Sequence, residues 1–449
     1  MTSIISLAGI VVGLCLLIYF AYKGHSIIWV APVCALVVAI MGGLNILDAY
    51  LGDYIKGVAD YIVSWFPAFF LGAVYGKIMD MTGAARSLAN KLVSLIGPKF
   101  AVAAVVIPCF LMTFGGISLF VVVFVIYPMG YAIYREANLP RTLLPGAIAY
   151  GAFGITMTSI PGSPQIQNII PTTYYGTTAA AAPLMGLVAA IIIGVPGYIY
   201  LEWRVRDARQ KGLGFVEDEK FKDNAYDTSK QPSWHWLSGL IPLVVVVLML
   251  NVLPATLENA GIVKWTSSQS IVVALIGGIL VTCLMNIKQF KVMLPAFNEG
   301  ANGSLTAIMN TACAVGFGSV VKIVPGFELI KNAMLNMPGS ILFSEAVAVN
   351  ILAGATGSAS GGMSIALEAL APQYLEKAVS MGINPELLHR IASIASGGLD
   401  TLPHNGAVLT LLAVSNCKHK ESYIDICVTS CIIPVLVSLI LSFAWGLFI

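Results

Sequence analysis

Apolar runs of about twenty residues recur along the whole chain, separated by short polar turns. In the first half they fall at 3–21, 26–44, 60–80 and 179–201, and in the second at 236–254, 270–286, 304–323 and 424–446. Runs of this length cross a bilayer as helices, so the pattern predicts an all-α polytopic membrane protein. The short alternating segments of a transmembrane barrel are absent. Two stretches in each half depart from the rule. Residues 100–136 and 339–378 are pairs of apolar arms around Thr113–Ser118 and Gly354–Gly362. Such short arms predict re-entrant hairpins. Residues 140–176 and 385–416 predict helices broken by Ser, Thr, Gly and Pro. Unwound backbone at membrane depth is tolerated only where protein buries it or a cavity borders it.

The two halves carry these elements in the same order. Gly115, Gly116 and Ser118 align with Gly361, Gly362 and Ser364, and Ser159-Ile-Pro161 aligns with Thr401-Leu-Pro403. The expected organisation is a first membrane repeat at 1–201, a cytoplasmic linker at 202–233 and a second repeat at 234–449. Five crossings per half make the second repeat inverted, as in many secondary transporters. Placing the linker in the cytoplasm puts 17 Lys and Arg inside and 5 outside. The positive-inside rule is then satisfied, with both termini outside. Residues 1–20 lack a basic leading region and a small-residue cleavage site, and are expected to stay as the first helix.

Composition sharpens this picture. The chain is 58% hydrophobic and 10% charged, with net charge +2, which suggests no nucleic-acid partner. The polar stretch 202–232 balances seven bases with seven acids and reads as a solvated loop. There is no phosphate-binding G-x-x-x-x-G-K-[ST] motif, which argues against an ATP-driven pump. Eight cysteines form no C-x-x-C pair, so no metal or other cofactor is implied.

The chemistry is expected at the paired breaks. Half-helix ends present free N–H groups that suit a carboxylate. The first copy offers Thr113, Gly115, Gly116, Ser118, Thr158, Ser159, Ser163, Gln165, Gln167 and Asn168. The second offers Thr356, Ser358, Ser360, Gly361, Gly362, Ser364, Thr401, His404 and Asn405. Ionisable residues inside a span are costly and default to functional candidates. Asp400 and His404 are therefore assigned to proton coupling, His because it titrates near neutrality. Glu345 and Glu368, on the second hairpin, are weaker candidates for a second proton. Lys77 and Lys322 read as snorkelling residues, His389 and Arg390 as an outer interfacial anchor, and His235 as part of an aromatic belt. No nucleophile–base pair suggests an enzyme.

The runs Gly361-Gly-Met-Ser-Ile-Ala-Leu-Glu368, Leu388-His-Arg-Ile-Ala-Ser393 and Ser396-Gly-Gly-Leu-Asp-Thr-Leu-Pro-His-Asn-Gly-Ala-Val-Leu-Thr410 resemble the gluconate:proton symporter (GntP) family. The segments Asn298–Asn302 and Ile308–Thr311 add to the resemblance, which is nearest to the D-β-hydroxybutyrate permease-like branch. It implies an ion-transporter-superfamily homodimer in a bacterial inner membrane, with a fixed scaffold and an elevator-like transport domain. The implied activity is proton-coupled uptake of a small organic acid anion. Sugar-acid members carry Pro-Pro-His-Pro-Gly-Pro at the first break, where this chain reads Ser159-Ile-Pro-Gly-Ser-Pro164. A 3-hydroxybutyrate-like acid is therefore favoured over gluconate. Sodium-coupled dicarboxylate or citrate transport, and an uncoupled exporter or channel, remain the alternatives.

Overall fold

The computed structural model describes residues 2–23, 25–218, 235–403 and 405–447, and among them it contains helices and no strand. Among the described residues, seven helical runs are long and apolar enough to span a membrane. The other predicted crossings are built from shorter pieces.

Helices α1 (Thr2–Tyr22) and α2 (Ile27–Met41) pack as a pair. A π-helical turn at Asp48–Tyr54 runs into α3 (Ile55–Met81). The continuous run is 34 residues, well beyond the predicted 60–80. Asp48, Asp53, Lys56 and Asp60 dilute the apolar signal of its first turns without ending the helix. The same holds for α13 (Phe290–Ile323), predicted as 304–323, whose early turns carry Asn298, Glu299 and Asn302. Helices α3 and α13 pack antiparallel along most of their length. Small residues permit this: a side chain on Gly300 would sit 2.6 Å from the Val74 Cα. Helix α12 (Ser267–Met285) packs on α3, and α10 (Leu237–Asn251) packs on α12 and continues into the short α11 (Leu253–Asn259).

The amphipathic α4 (Ala84–Ile96) was not predicted. It turns by 94° into α5 (Ala101–Phe114), the first arm of hairpin 1. The second arm is α6 (Leu119–Glu136). Hairpin 2 is formed by α15 (Ile341–Thr356) and α16 (Ala359–Ser380), preceded by the short α14 (Phe327–Leu335). The tips turn where glycine takes the left-handed backbone that other residues avoid, Gly116 at φ +92° and Gly357 at φ +60°.

The first broken helix runs as α7 (Leu144–Ala149), a π-turn at Tyr150–Ile155, an unwound stretch, and α8 (Ile166–Tyr175). The second runs as α17 (Pro385–Ser396), an unwound stretch, and α18 (Gly406–Val414). Helix α9 (Pro183–Gln210) follows the first, so residues 202–210 of the predicted linker are helical. The second is followed by α19 (His419–Cys427), a π-turn and α20 (Ile433–Leu447).

Candidate functional site

Four helices end at the tips and breaks (α5, the first broken helix's leading half, α15 and α17), and four begin there (α6, α8, α16 and α18). The four unwound segments touch in series. Gln165, at the start of α8, donates its side-chain amide to Thr113 O at 2.6 Å and Ile117 O at 3.3 Å, so the first break latches the tip of hairpin 1. Asn405, at the start of α18, donates to Gly357 O at 3.0 Å, so the second break latches the tip of hairpin 2. Its Oδ1 also accepts from Ala407 N and Val408 N, capping α18. The breaks meet each other through Ser393 Oγ, which donates to Thr158 O at 2.7 Å. They meet again at Gly397, where a Cβ would lie 2.5 Å from the Thr158 side chain. Together these contacts make one buried polar seam.

Polar atoms in a folded interior are nearly always paired. Along the hairpin arms and breaks five have no hydrogen-bond partner among the described residues: Thr113 Oγ1, Thr158 Oγ1, Ser159 Oγ, Ser364 Oγ and Asp400 Oδ1. Ser364 faces the phenol of Tyr61 on α3. Asp400 is 3% exposed and makes no ion pair among the described residues. These hydroxyls and one carboxyl lie on hairpin arms and breaks next to which four helices begin, an arrangement suited to receiving an anion and a proton.

The other expected site residues hold the framework. Ser163 Oγ accepts from Gln165 N, and Ser358 Oγ accepts from Gly361 N at the start of α16. Thr401 Oγ1 donates to Ser430 O at 2.8 Å. Gly115 presses on Leu243 of α10, Gly116 on Pro164, and Gly362 on the Ala353 backbone. Gly361 lies beside the Ser358 side chain. Ser118 and Ser360 are half-buried. His404 lies outside the described residues.

One sequence expectation is corrected. His389 and Arg390 are fully buried and form no interfacial anchor. Arg390 donates to Ala181 O at 2.8 and 3.1 Å, Ala179 O at 3.3 Å and Asn168 Oδ1 at 2.8 Å. Lys77 and Lys322 form ion pairs, with Glu299 at 2.8 Å and Glu368 at 3.3 Å.

Reasoning from sequence missed Arg141. At the head of the first broken helix, it donates to Ser415 O at 3.1 Å and pairs with Asp218 at 3.1 Å. Arg390 and Arg141 thus make reciprocal contacts, each holding the loop that follows the other broken helix. Arg390 carried a signal: the residues that follow it, Ile391-Ala-Ser-Ile-Ala-Ser396, are all apolar or small, which leaves no polar face for an anchor.

The family description GntP family permease matches residues 1–401. An uncharacterized transporter of Bacillus subtilis, YxjC, is 39% identical over 93% of this chain and 94% of its own length. The chain belongs to the GntP permease family. It is a multi-pass membrane transporter, not an enzyme. Other relatives include a high-affinity gluconate transporter and an L-idonate transporter of Escherichia coli. They are 25% and 27% identical, over 58% and 56% of this chain and 55% and 54% of theirs. The fold of this GntP permease is shared by two solved transporters at low identity. Neisseria gonorrhoeae MtrF has a TM-score of 0.56 at 13% identity, over 98% of this chain and 95% of its own. Alcanivorax borkumensis YdaH has 0.60 at 15%, over 89% and 88%.

Proposed function

We propose that this GntP permease is a proton-coupled importer of a small organic acid anion. The observation that carries the reading is five buried polar atoms without a partner among the described residues, four hydroxyls and one carboxyl, set on the hairpin arms and breaks beside the starts of four helices. The half-helix N-termini and the hydroxyls of Thr113, Thr158, Ser159 and Ser364 hold the substrate carboxylate and its own hydroxyl. Asp400 and His404 exchange the coupling proton. Relatives named for gluconate and L-idonate support a hydroxy-acid substrate. The lack of a His in Ser159–Pro164 favours a short acid such as 3-hydroxybutyrate.

In this reading the two halves are inverted repeats in a bacterial inner membrane, with both termini outside. Two copies pair as a homodimer, and the hairpins and broken helices travel against a fixed scaffold. The deciding experiment is uptake into proteoliposomes. An inward proton gradient without Na⁺ should drive accumulation of labelled 3-hydroxybutyrate, tested beside gluconate, lactate and citrate. Uptake that needs Na⁺, or that never exceeds equilibrium, would sink the proposal.

A further inference from the structure

Glu345 lies on α15, one turn into hairpin 2, with a relative exposure of 0%. One of its oxygens accepts the phenol proton of Tyr175, the last residue of α8. The other is buried and unpartnered. The contact joins the outer arm of hairpin 2 to the end of the first broken helix, away from the seam.

The charged groups on the surrounding elements are engaged elsewhere. On α17, Arg390 is bound to backbone carbonyls and Asn168, His389 Nδ1 to Thr177 at 2.6 Å, and Glu386 to Ala182 N. On α14, Lys331 pairs with Glu328. On α16, Lys377 donates to Leu335 O, Glu368 pairs with Lys322, and Glu376 is exposed. Tyr374 of α16 meets Ser344, and Tyr174 of α8 meets Glu368. Asp400 is the remaining acid on an element packed against α15, and α1 and α20 bring no charged side chain. Among the described residues no cation pairs with Glu345. Burying a lone carboxylate costs several kcal/mol, a cost that binding a proton removes.

We infer that Glu345, bridged to Tyr175, is a second proton-binding site where hairpin 2 meets α8. A carboxyl retained at this expense inside a span is functional by default, and because hairpin 2 and α8 travel together against the scaffold, its proton can be taken up on one side of the membrane and given up on the other. Proton binding at Glu345 rests on the proposed coupling and adds one proton to each cycle.

The test is the proton-to-substrate ratio in proteoliposomes at zero membrane potential, with 3-hydroxybutyrate and gluconate as probes. Two protons per monoanion let one pH unit hold about 100-fold accumulation, and one proton holds about 10-fold. The wild type should follow the first, and Glu345→Gln, a standing mimic of the protonated acid, the second. A variant that loses net uptake but keeps full substrate counterflow also supports the site, because exchange needs no proton release. An unchanged ratio overturns it, as does loss of counterflow in a variant that unfolds at the wild-type temperature. A wild type without proton-driven uptake defeats the parent proposal instead, and is recognised before any variant is made.

Discussion

Gln165 and Asn405 occupy matching posts in the two halves. Each begins the second part of a broken helix and donates its side-chain amide to a backbone carbonyl at the tip of the preceding hairpin. Each break therefore controls how tightly its own hairpin is held. Asn405 also caps α18, and the two duties separate chemically. Asn405→Asp keeps an N-cap acceptor but removes the donor to Gly357 O. It should lose about 1 kcal/mol of stability, because Gly357 O is left without its donor, while uptake falls at least tenfold. Asn405→Ala should lose about 1 kcal/mol more, with the cap. A transport-competent Asn405→Asp variant would refute the latch.

The unpartnered hydroxyls invite a sharper comparison. A buried hydroxyl that bonds to nothing adds little to stability, whereas removing one member of a pair leaves the other unsatisfied. Thr113→Val, Ser159→Ala and Ser364→Ala should leave the melting temperature unchanged or higher. Their KM should rise about tenfold, the equivalent of one lost bond to a charged ligand. Ser393→Ala, which strips the donor from Thr158 O, should instead lose about 1 kcal/mol of stability. Unaltered KM in the first three would move the substrate elsewhere.

Asp400 and His404 are tested through partial reactions. Asp400→Asn and His404→Ala should abolish proton-driven accumulation, and Asp400→Asn should keep substrate counterflow. Normal pH-driven uptake in either variant removes that residue from the coupling mechanism.

The arginine contacts predict an order of stability losses. Arg390 is fully buried, and its removal strands two carbonyls and Asn168. Arg390→Gln should cost about 3 kcal/mol. Arg141 is partly exposed, its side chain 19% accessible, so Arg141→Gln should cost less. Thermal unfolding in detergent of both variants checks the order.

His235 gives a pH signature outside the spans. Its Nδ1 meets Ser87 Oγ at 2.8 Å and its Nε2 meets Asn286 Oδ1 at 2.9 Å, tying the ends of α4, α10 and α12. Burial, partly offset by the Asn286 bond, holds the imidazole below its ordinary value near 6.5. The neutral ring is the folded form. Its contribution is present in full above that value and is lost as pH falls toward the folded one. Between about pH 7 and 5 the wild type should lose more stability than His235→Gln, measured as melting temperature against pH.

Much of this architecture is legible from residue order alone, and its gaps have physical causes. Hairpins at 100–136 and 339–378 stand out because Gly and Ser at their tips split each apolar run into two arms, although the second arms, α6 and α16, run longer than the sequence suggested, to 18 and 22 residues. Broken helices stand out because Pro and small polar residues interrupt apolar runs. The early turns of α3 and α13 do not, since hydropathy cannot separate a polar helical turn from a loop. Thr113, Ser159, Ser364 and Asp400 were nameable because hydroxyls and acids at membrane depth demand a reason. Thr401 was nameable too, yet its hydroxyl is engaged by Ser430, a partner 29 residues away that no local pattern reveals. Arg141 was missed and Arg390 misplaced for a like reason: several of their acceptors are backbone carbonyls, which every residue carries.

Those acceptors also set an order of events during synthesis. Arg141 waits for the carbonyl of Ser415, 274 residues later, and Arg390 reaches back 209 residues to Ala181. Contacts of such sequence separation form late, because long loops must close before they are rewarded. The leading half of this chain therefore emerges from the ribosome with its broken helix held by the Gln165 latch but without the Arg141 contact, which must wait in the membrane until Ser415 arrives.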